Sequence, residues 1–203
     1  MISDEVGAFL VRLARSAIES QLGLQRAPEP PRDSQLAAIR RGVFVTLYTY
    51  ESKELRGCMG IPIPQTNIID DTIRAAKLAA FRDPRFPGLT SEEVGSVILE
   101  ISLLTEPELF KVEPRSLPEH IRIGIDGLII EADEGAGLLL PQVPVEYGWT
   151  PEEFLMHLCL KAGLRVTDWL RKDVKIYRFA ADIFAEEEPR GAIRRVSIMP
   201  RAA

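Results

Sequence analysis

The stretch GVFVTLYTYESKELRGCMGIPIP, Gly42 to Pro64, limits the fold more than any other part of the chain. Gly42 to Tyr50 is rich in β-branched and aromatic residues and reads as a strand. Glu51-Ser52-Lys53-Glu54 turns the chain and Leu55 to Ile61 returns. Pro62 and Pro64 then end the strand, because proline has no N–H to give to a ladder. A turn this short joins antiparallel neighbours and cannot join parallel ones, which need a long crossover. A symmetric four-residue turn sets Cys58 opposite Leu47. The strand alternation puts Arg56 and Cys58 on one face, with Leu55, Gly57 and Met59 on the other.

The remaining segments follow the same logic. Val6, Phe9, Leu10, Leu13, Ala14, Ala17 and Ile18 recur at helical spacing, opened by Ser3-Asp4-Glu5 and closed near Gly23. The proline-rich Gln25 to Gln35 is a loop or extended arm. Asn67 to Phe81 is a helix with Asp70 and Asp71 in its first turn, stopped by Asp83-Pro84. Val97 to Leu104 is a strand. Ile121 to Leu140 reads as three short strands divided at Asp126-Gly127 and at Asp133-Glu134-Gly135. Thr150-Pro151-Glu152-Glu153 carries a complete helix start, with a capping threonine, a proline at the first helical position and a glutamate able to reach back. Lys175 to Glu186 reads as one last strand returning to the first sheet. Short antiparallel turns between interleaved helices and strands favour an α+β fold over a doubly wound sheet.

Composition excludes several function classes. No glycine-rich phosphate fingerprint follows a strand, and no cofactor is expected. Two cysteines about a hundred residues apart and two histidines give neither a disulfide framework nor a spaced metal-ligand set, so no metal site is expected. A net charge of −5 opposes general phosphate-backbone binding, so nucleic acid is not an expected partner. The one basic cluster, Arg190 to Arg201, is diluted by Ile193, Val196 and Ile198 and reads as a solvated tail. No apolar run approaches the about 18 residues needed to cross a bilayer, and the N-terminus has the pattern of neither a secretory signal nor a transit peptide. The expected location is the cytoplasm.

Three stretches carry candidate chemistry. In ELRGCMG, Arg56 beside Cys58 suits a reactive or ligand-gripping thiol, while the same cysteine suits a small buried hydrophobe. Gly57 and Gly60 signal that another backbone, a side chain or a ligand comes close to the strand. In RDPRF, Asp83 can hold an arginine by a bidentate bond, locking a corner, or the arginines can receive an anion. In LLLPQVPVEYGW, Gln142 with Tyr147 and Trp149 suits a cleft wall as well as plain packing. His157 is a candidate base for Cys58, although nothing in the sequence brings the two together.

Taken in order, GVFVTL, LRGCMG, AAFRDPRF, EISLLTEP, GIDGLII, LLLPQV, EEFL followed by KAGL, and YRFAADIF resemble the AMMECR-type proteins, whose hallmark hexapeptide is LRGCIG. Met59 stands at its isoleucine, a volume-conserving change. The histidines are not part of the family pattern. The resemblance implies two unequal lobes, each with an antiparallel sheet. The larger is about residues 1–105 plus 172–203, and the smaller is about 106–171. Between them it implies a cleft faced by Arg56, Gly57, Cys58 and Gly60, with Asp83, Arg85 and Gln142 as further candidates. It also implies partners, a Memo-like protein and a radical S-adenosylmethionine protein, without implying an activity. Two functions follow as expectations. One is a cleft-based module binding a peptide or small molecule. The other is an enzyme using Cys58 as nucleophile or redox thiol.

Overall fold

The computed structural model describes residues 2–28, 36 and 38–198. Much of the proline-rich arm and the end of the basic tail therefore lie outside the described residues. In chain order the elements are α1 (Asp4–Gln21), β1 (Gly42–Thr49), β2 (Leu55–Ile61), α2 (Ile68–Phe81), β3 (Val97–Leu104) and β4 (Glu108–Leu109). There follow α3 (Leu117–His120), β5 (Gly127–Ala132), β6 (Gly135–Leu139), α4 (Gln142–Tyr147), α5 (Pro151–Lys161), β7 (Lys175–Phe179), β8 (Ala181–Glu186) and β9 (Ile193–Val196). The chain is α+β, with a five-stranded sheet ordered β2-β1-β3-β8-β9 and a four-stranded sheet ordered β4-β7-β5-β6. The described residues divide into two compact units: those to Leu104 with Asp182–Val196, and Thr105–Ala181 with Ser197 and Ile198.

The first unit is built on the alternation of β1. Val43, Val45 and Leu47 are wholly buried, as are Leu10, Ala14, Ala17 and Ile18 on α1 and Ala75 and Ala76 on α2. Together they form one apolar cluster under the two helices. The hydroxyl of Ser3 caps α1 by accepting from the Val6 amide, and the Asn67 side chain caps α2 by accepting from Ile69 and Asp70. These caps satisfy amides that the first helical turn leaves without partners.

The hairpin register departs from the symmetric expectation. Leu47 lies opposite Gly57, Tyr48 opposite Leu55, and Cys58 opposite Thr46. Arg56 is the extra residue of a bulge on β2, so the return strand slips by one residue against β1. A turn symmetric in sequence did not survive, because Lys53 adopts a positive φ of 57° and closes a hydrogen-bonded turn onto Thr49.

Three further expectations change. Only two strands lie between Ile121 and Leu140; residues before Gly127 form a turn instead. Buried Asp126 holds that turn, accepting from the Arg122 amide and from Nε and Nη2 of its guanidinium at 2.7–3.1 Å. Lys175 to Glu186 is two strands in different sheets: β7 pairs with β4 and β5, whereas β8 joins the first sheet. Finally, the basic tail is partly a strand. In β9, Ile193 and Val196 pair with Glu186 and Ile183, and Arg195 is held by Asp4 and Asp182. Its apolar residues dock it, where the net basic charge alone suggested a solvated tail.

The second unit packs β5 and α5 around a core of Leu128, Ile130, Phe154, Leu155, Leu158, Cys159 and Trp169. The expected helix start is present in full. Thr150 caps the Glu153 amide, and the Glu153 carboxylate accepts from the Thr150 amide at 2.8 Å. No helix among the described residues is long and apolar enough to cross a membrane.

Candidate functional site

β2 is the edge strand of the five-stranded sheet, and Cys58 sits at its middle. An edge strand presents backbone groups with no ladder partner, and proteins blunt such edges. Here two side chains from the turn after α2 do so. The Cys58 amide donates to Asp83 Oδ2 at 2.8 Å, and its carbonyl accepts from Arg85 Nη2 at 3.3 Å. Asp83 and Arg85 are themselves joined bidentately, Nε to Oδ1 at 2.9 Å and Nη2 to Oδ2 at 2.6 Å. The pair reproduces, with side chains, the donor and acceptor that a neighbouring strand would supply. The Arg85 guanidinium holds the Asp83 carboxyl down from its ordinary 3.8 to about 2, against burial and with help from the Cys58 and Arg85 amides.

The thiol lies on the other side of that backbone contact, in a cross-strand row with Thr46 on β1 and Glu100 on β3. The Thr46 hydroxyl donates to Sγ at 3.3 Å. Cys58 is half-buried. Burial raises its pKa above the ordinary thiol value; the Thr46 hydroxyl and Arg85 pull it down, and Asp83 and Glu100 push it up. The net direction is upward, so the group is a neutral thiol at neutral pH. The cation acting on it is Arg85. Arg56, its sequence neighbour, is bound elsewhere.

The bulge turns Arg56 into the protein. Its guanidinium donates to both carboxylate oxygens of Glu93 at 3.0 and 3.2 Å and to the Pro87 carbonyl at 3.0 Å. The same arginine holds the Glu93 carboxyl below its ordinary range. The guanidinium groups of Arg85 and Arg56 lie 5.4 and 6.0 Å from the centre of the Phe86 ring. Such contacts add modest attraction at exposed sites.

The two glycines answer to close approaches by the chain itself. A Cβ at Gly57 would stand 2.3 Å from the Ala79 carbonyl oxygen, so the glycine lets α2 lie directly on β2. A Cβ at Gly60 would stand 2.4 Å from the Phe44 ring. Gln142 is placed in the second unit, opening α4, and His157 is also there, stacked on Trp149 at 3.8 Å, with Tyr147 stacked on the same Trp149 at 4.9 Å. The structure therefore brings together Cys58, Asp83 and Arg85, with Arg56 and the two glycines on the same strand. Gln142 lies in the second unit.

Thr46, Phe86, Glu93 and Glu100 were not legible as members of this group. One signal existed for Glu93. Thr90 and Glu93 form a reciprocal cap, amide to carboxylate at 3.0 Å and amide to hydroxyl at 3.3 Å, which the spacing T-x-x-E announces. Thr46 was one residue of register away.

The AMMECR1 family model matches residues 11–184. The chain belongs to the AMMECR1 family. A protein of Methanocaldococcus jannaschii is 52% identical over 199 residues, covering 95% of this chain and 96% of that one. A protein of Pyrococcus abyssi is 49% identical over 202 residues and covers 98% of both. The crystal structure of the uncharacterised protein PH0010 from Pyrococcus horikoshii superposes with a TM-score of 0.91 at 49% identity, over 97% of this chain and 98% of that one. The hexapeptide at the centre of the site, LRGCMG, thus belongs to an AMMECR1 protein whose relatives share the whole fold.

Proposed function

We propose that this AMMECR1 protein is a binding module, with its docking surface around Cys58, Arg85 and Phe86, and that it acts with a Memo-like protein and a radical S-adenosylmethionine protein. The observation that supports this best is how the polar groups of the hexapeptide strand are used. The Cys58 amide and carbonyl are gripped by Asp83 and Arg85, the Arg56 guanidinium is given to Glu93 and Pro87, and the thiol accepts from Thr46. Groups so committed shape a surface and leave little for acid–base work. Arg85 remains 53% exposed at its side chain and Phe86 half-buried, a cation and a ring suited to recognition. The test is binding to the Memo-like protein of the same organism by calorimetry. Phe86→Ala is expected to weaken it by about tenfold with the thermal midpoint held. No binding by the wild type, or equal binding by the variant, would remove the docking role.

The alternative is an enzyme using Cys58, and the partial exposure of that residue and the nearby Arg85 speak for it. Its test is the pH profile of Cys58 alkylation, followed by mass spectrometry so that buried Cys159 is scored separately. The raised thiol pKa predicts a slow rate near neutrality that still climbs beyond about pH 8.5, the free-cysteine value. An inflection well below that value would instead mark an activated thiolate.

A further inference from the structure

The surface around the turn after α2 has one cationic edge left unspent, and we infer that it receives a carboxylate from an acidic peptide segment of a protein partner. This rests on the docking surface proposed above and names what that surface recognises. Arg85 commits Nε to Asp83, and Nη2 to both Asp83 and the Cys58 carbonyl, at 2.6–3.3 Å. Its Nη1 has no hydrogen-bond partner among the described residues, and the side chain is more than half exposed. A guanidinium held along one edge by a buried carboxylate is fixed in orientation, so its free N–H groups point outward at little entropic cost. Asp83 neutralises it from below, but that carboxylate is only 2% exposed and does not meet an incoming ligand.

Two neighbours fit the same class of ligand. Arg82, exposed at the end of α2, has no acidic partner among the described residues and adds a second positive charge to the turn. The nearby acid Glu93 is already taken by Arg56 and the Thr90 amide. Phe86, following Arg85 in the turn, supplies an apolar face beside the charge. A glutamate or aspartate next to an apolar residue matches this combination. A phosphate-rich polymer matches it less well, because its backbone brings no aliphatic group to the Phe86 ring.

The probe is a pair of capped peptides, one alternating glutamate with leucine and the other with glutamine in place of every glutamate. Each is titrated into the full chain while the arginine side-chain nitrogen resonances are followed by NMR. The glutamate peptide is expected to shift the Arg85 signal saturably, with affinity falling at least about tenfold in Arg82→Gln/Arg85→Gln. Raising the salt should weaken it further, as for any exposed charge contact. Equal shifts with the glutamine peptide, or no saturable shift with the glutamate peptide, would overturn the inference. A Memo-like protein that still binds while both peptides stay silent removes the carboxylate and leaves the docking surface standing. Failure of that protein to bind, with the glutamate peptide active, does the reverse.

Discussion

Glu186→Gln is expected to cost the first unit about 3–5 kcal/mol, the largest effect of any single conservative change in the molecule. Glu186 and Arg15 are 4% and 6% exposed, and their carboxylate and guanidinium meet bidentately. Around them the pair ties three separate pieces of chain. Arg15 on α1 donates to the Val94 carbonyl at 2.9 Å and the Val97 carbonyl at 2.8 Å, while Glu186 on β8 accepts from the Leu99 amide of β3 at 3.0 Å. Glutamine cannot replace it. Either orientation of the amide turns an NH2 group toward donors, and the buried guanidinium loses its counter-charge. Removing one partner of a buried pair leaves the other charge desolvated and alone, which is where the cost arises.

The same reasoning separates the pair from its surroundings. Arg15→Met should be comparably damaging, since it strands Glu186 and two backbone carbonyls. The double variant Arg15→Met/Glu186→Met should recover part of the loss, because no buried charge then remains. Hydrogen exchange in the β3 segment is the suitable readout. Trp149 and Trp169 both lie in the second unit, so tryptophan fluorescence would follow the wrong part of the chain. A Glu186→Gln variant that loses less than about 1 kcal/mol would show that the pair is not what holds α1, β3 and β8 together.

Interactions of this kind mark the limit of what the sequence discloses. β3, the helix caps of α2 and α5 and the hairpin itself are written locally, in alternation, in Asn67, and in the Thr150 to Glu153 box. For the caps and the hairpin turn local signals suffice because each is closed by hydrogen bonds a few residues apart, and β3 is marked by its own nearly unbroken apolar run. The pair Arg15 and Glu186 is separated by 171 positions, and no local pattern links its members. Asp126-Gly127 failed for a different reason. The dipeptide suits a tight hairpin, but the aspartate carboxylate can equally accept amide and guanidinium donors upstream, and tertiary burial chose that use.

The candidate site was legible in part for the same physical reasons. The proximity of Asp83 to Arg85 is a two-residue effect and could be read from RDPRF. Their grip on Cys58 spans 25 and 27 positions and could not. Strand alternation placed Arg56 beside Cys58, yet a one-residue bulge was enough to turn the arginine toward Glu93. The glycines were read correctly as points of close approach; which atoms approach depends on how α2 and Phe44 pack, and only the fold decides that.

Asp83→Asn tests whether the clamp on Cys58 is chiefly structural. With a carboxyl pKa lowered from 3.8 to about 2, folding gains about 2 kcal/mol from this group once the pH exceeds its unfolded value. The sign follows from the lowered folded pKa. The contribution is complete above about pH 4 and is lost as the pH falls through about 2. The variant should therefore be about 2 kcal/mol less stable at neutral pH, and the gap should close steadily between pH 4 and pH 2 in urea melts. Asparagine still offers one oxygen to the Cys58 amide, but its NH2 faces the Arg85 donors that the carboxylate satisfied. Arg85 should then swing free and the β2 edge should open at Cys58, seen as faster exchange of that amide. A neutral-pH stability equal to wild type, with a loss of partner binding alone, would place Asp83 among the recognition groups. Stability and binding lost together, with binding still weakened when the variant is held folded at low temperature, would make Asp83 a support for Arg85. That second outcome is the one the geometry favours, because a carboxylate 2% exposed beneath a half-exposed guanidinium acts on a ligand only through the arginine it holds.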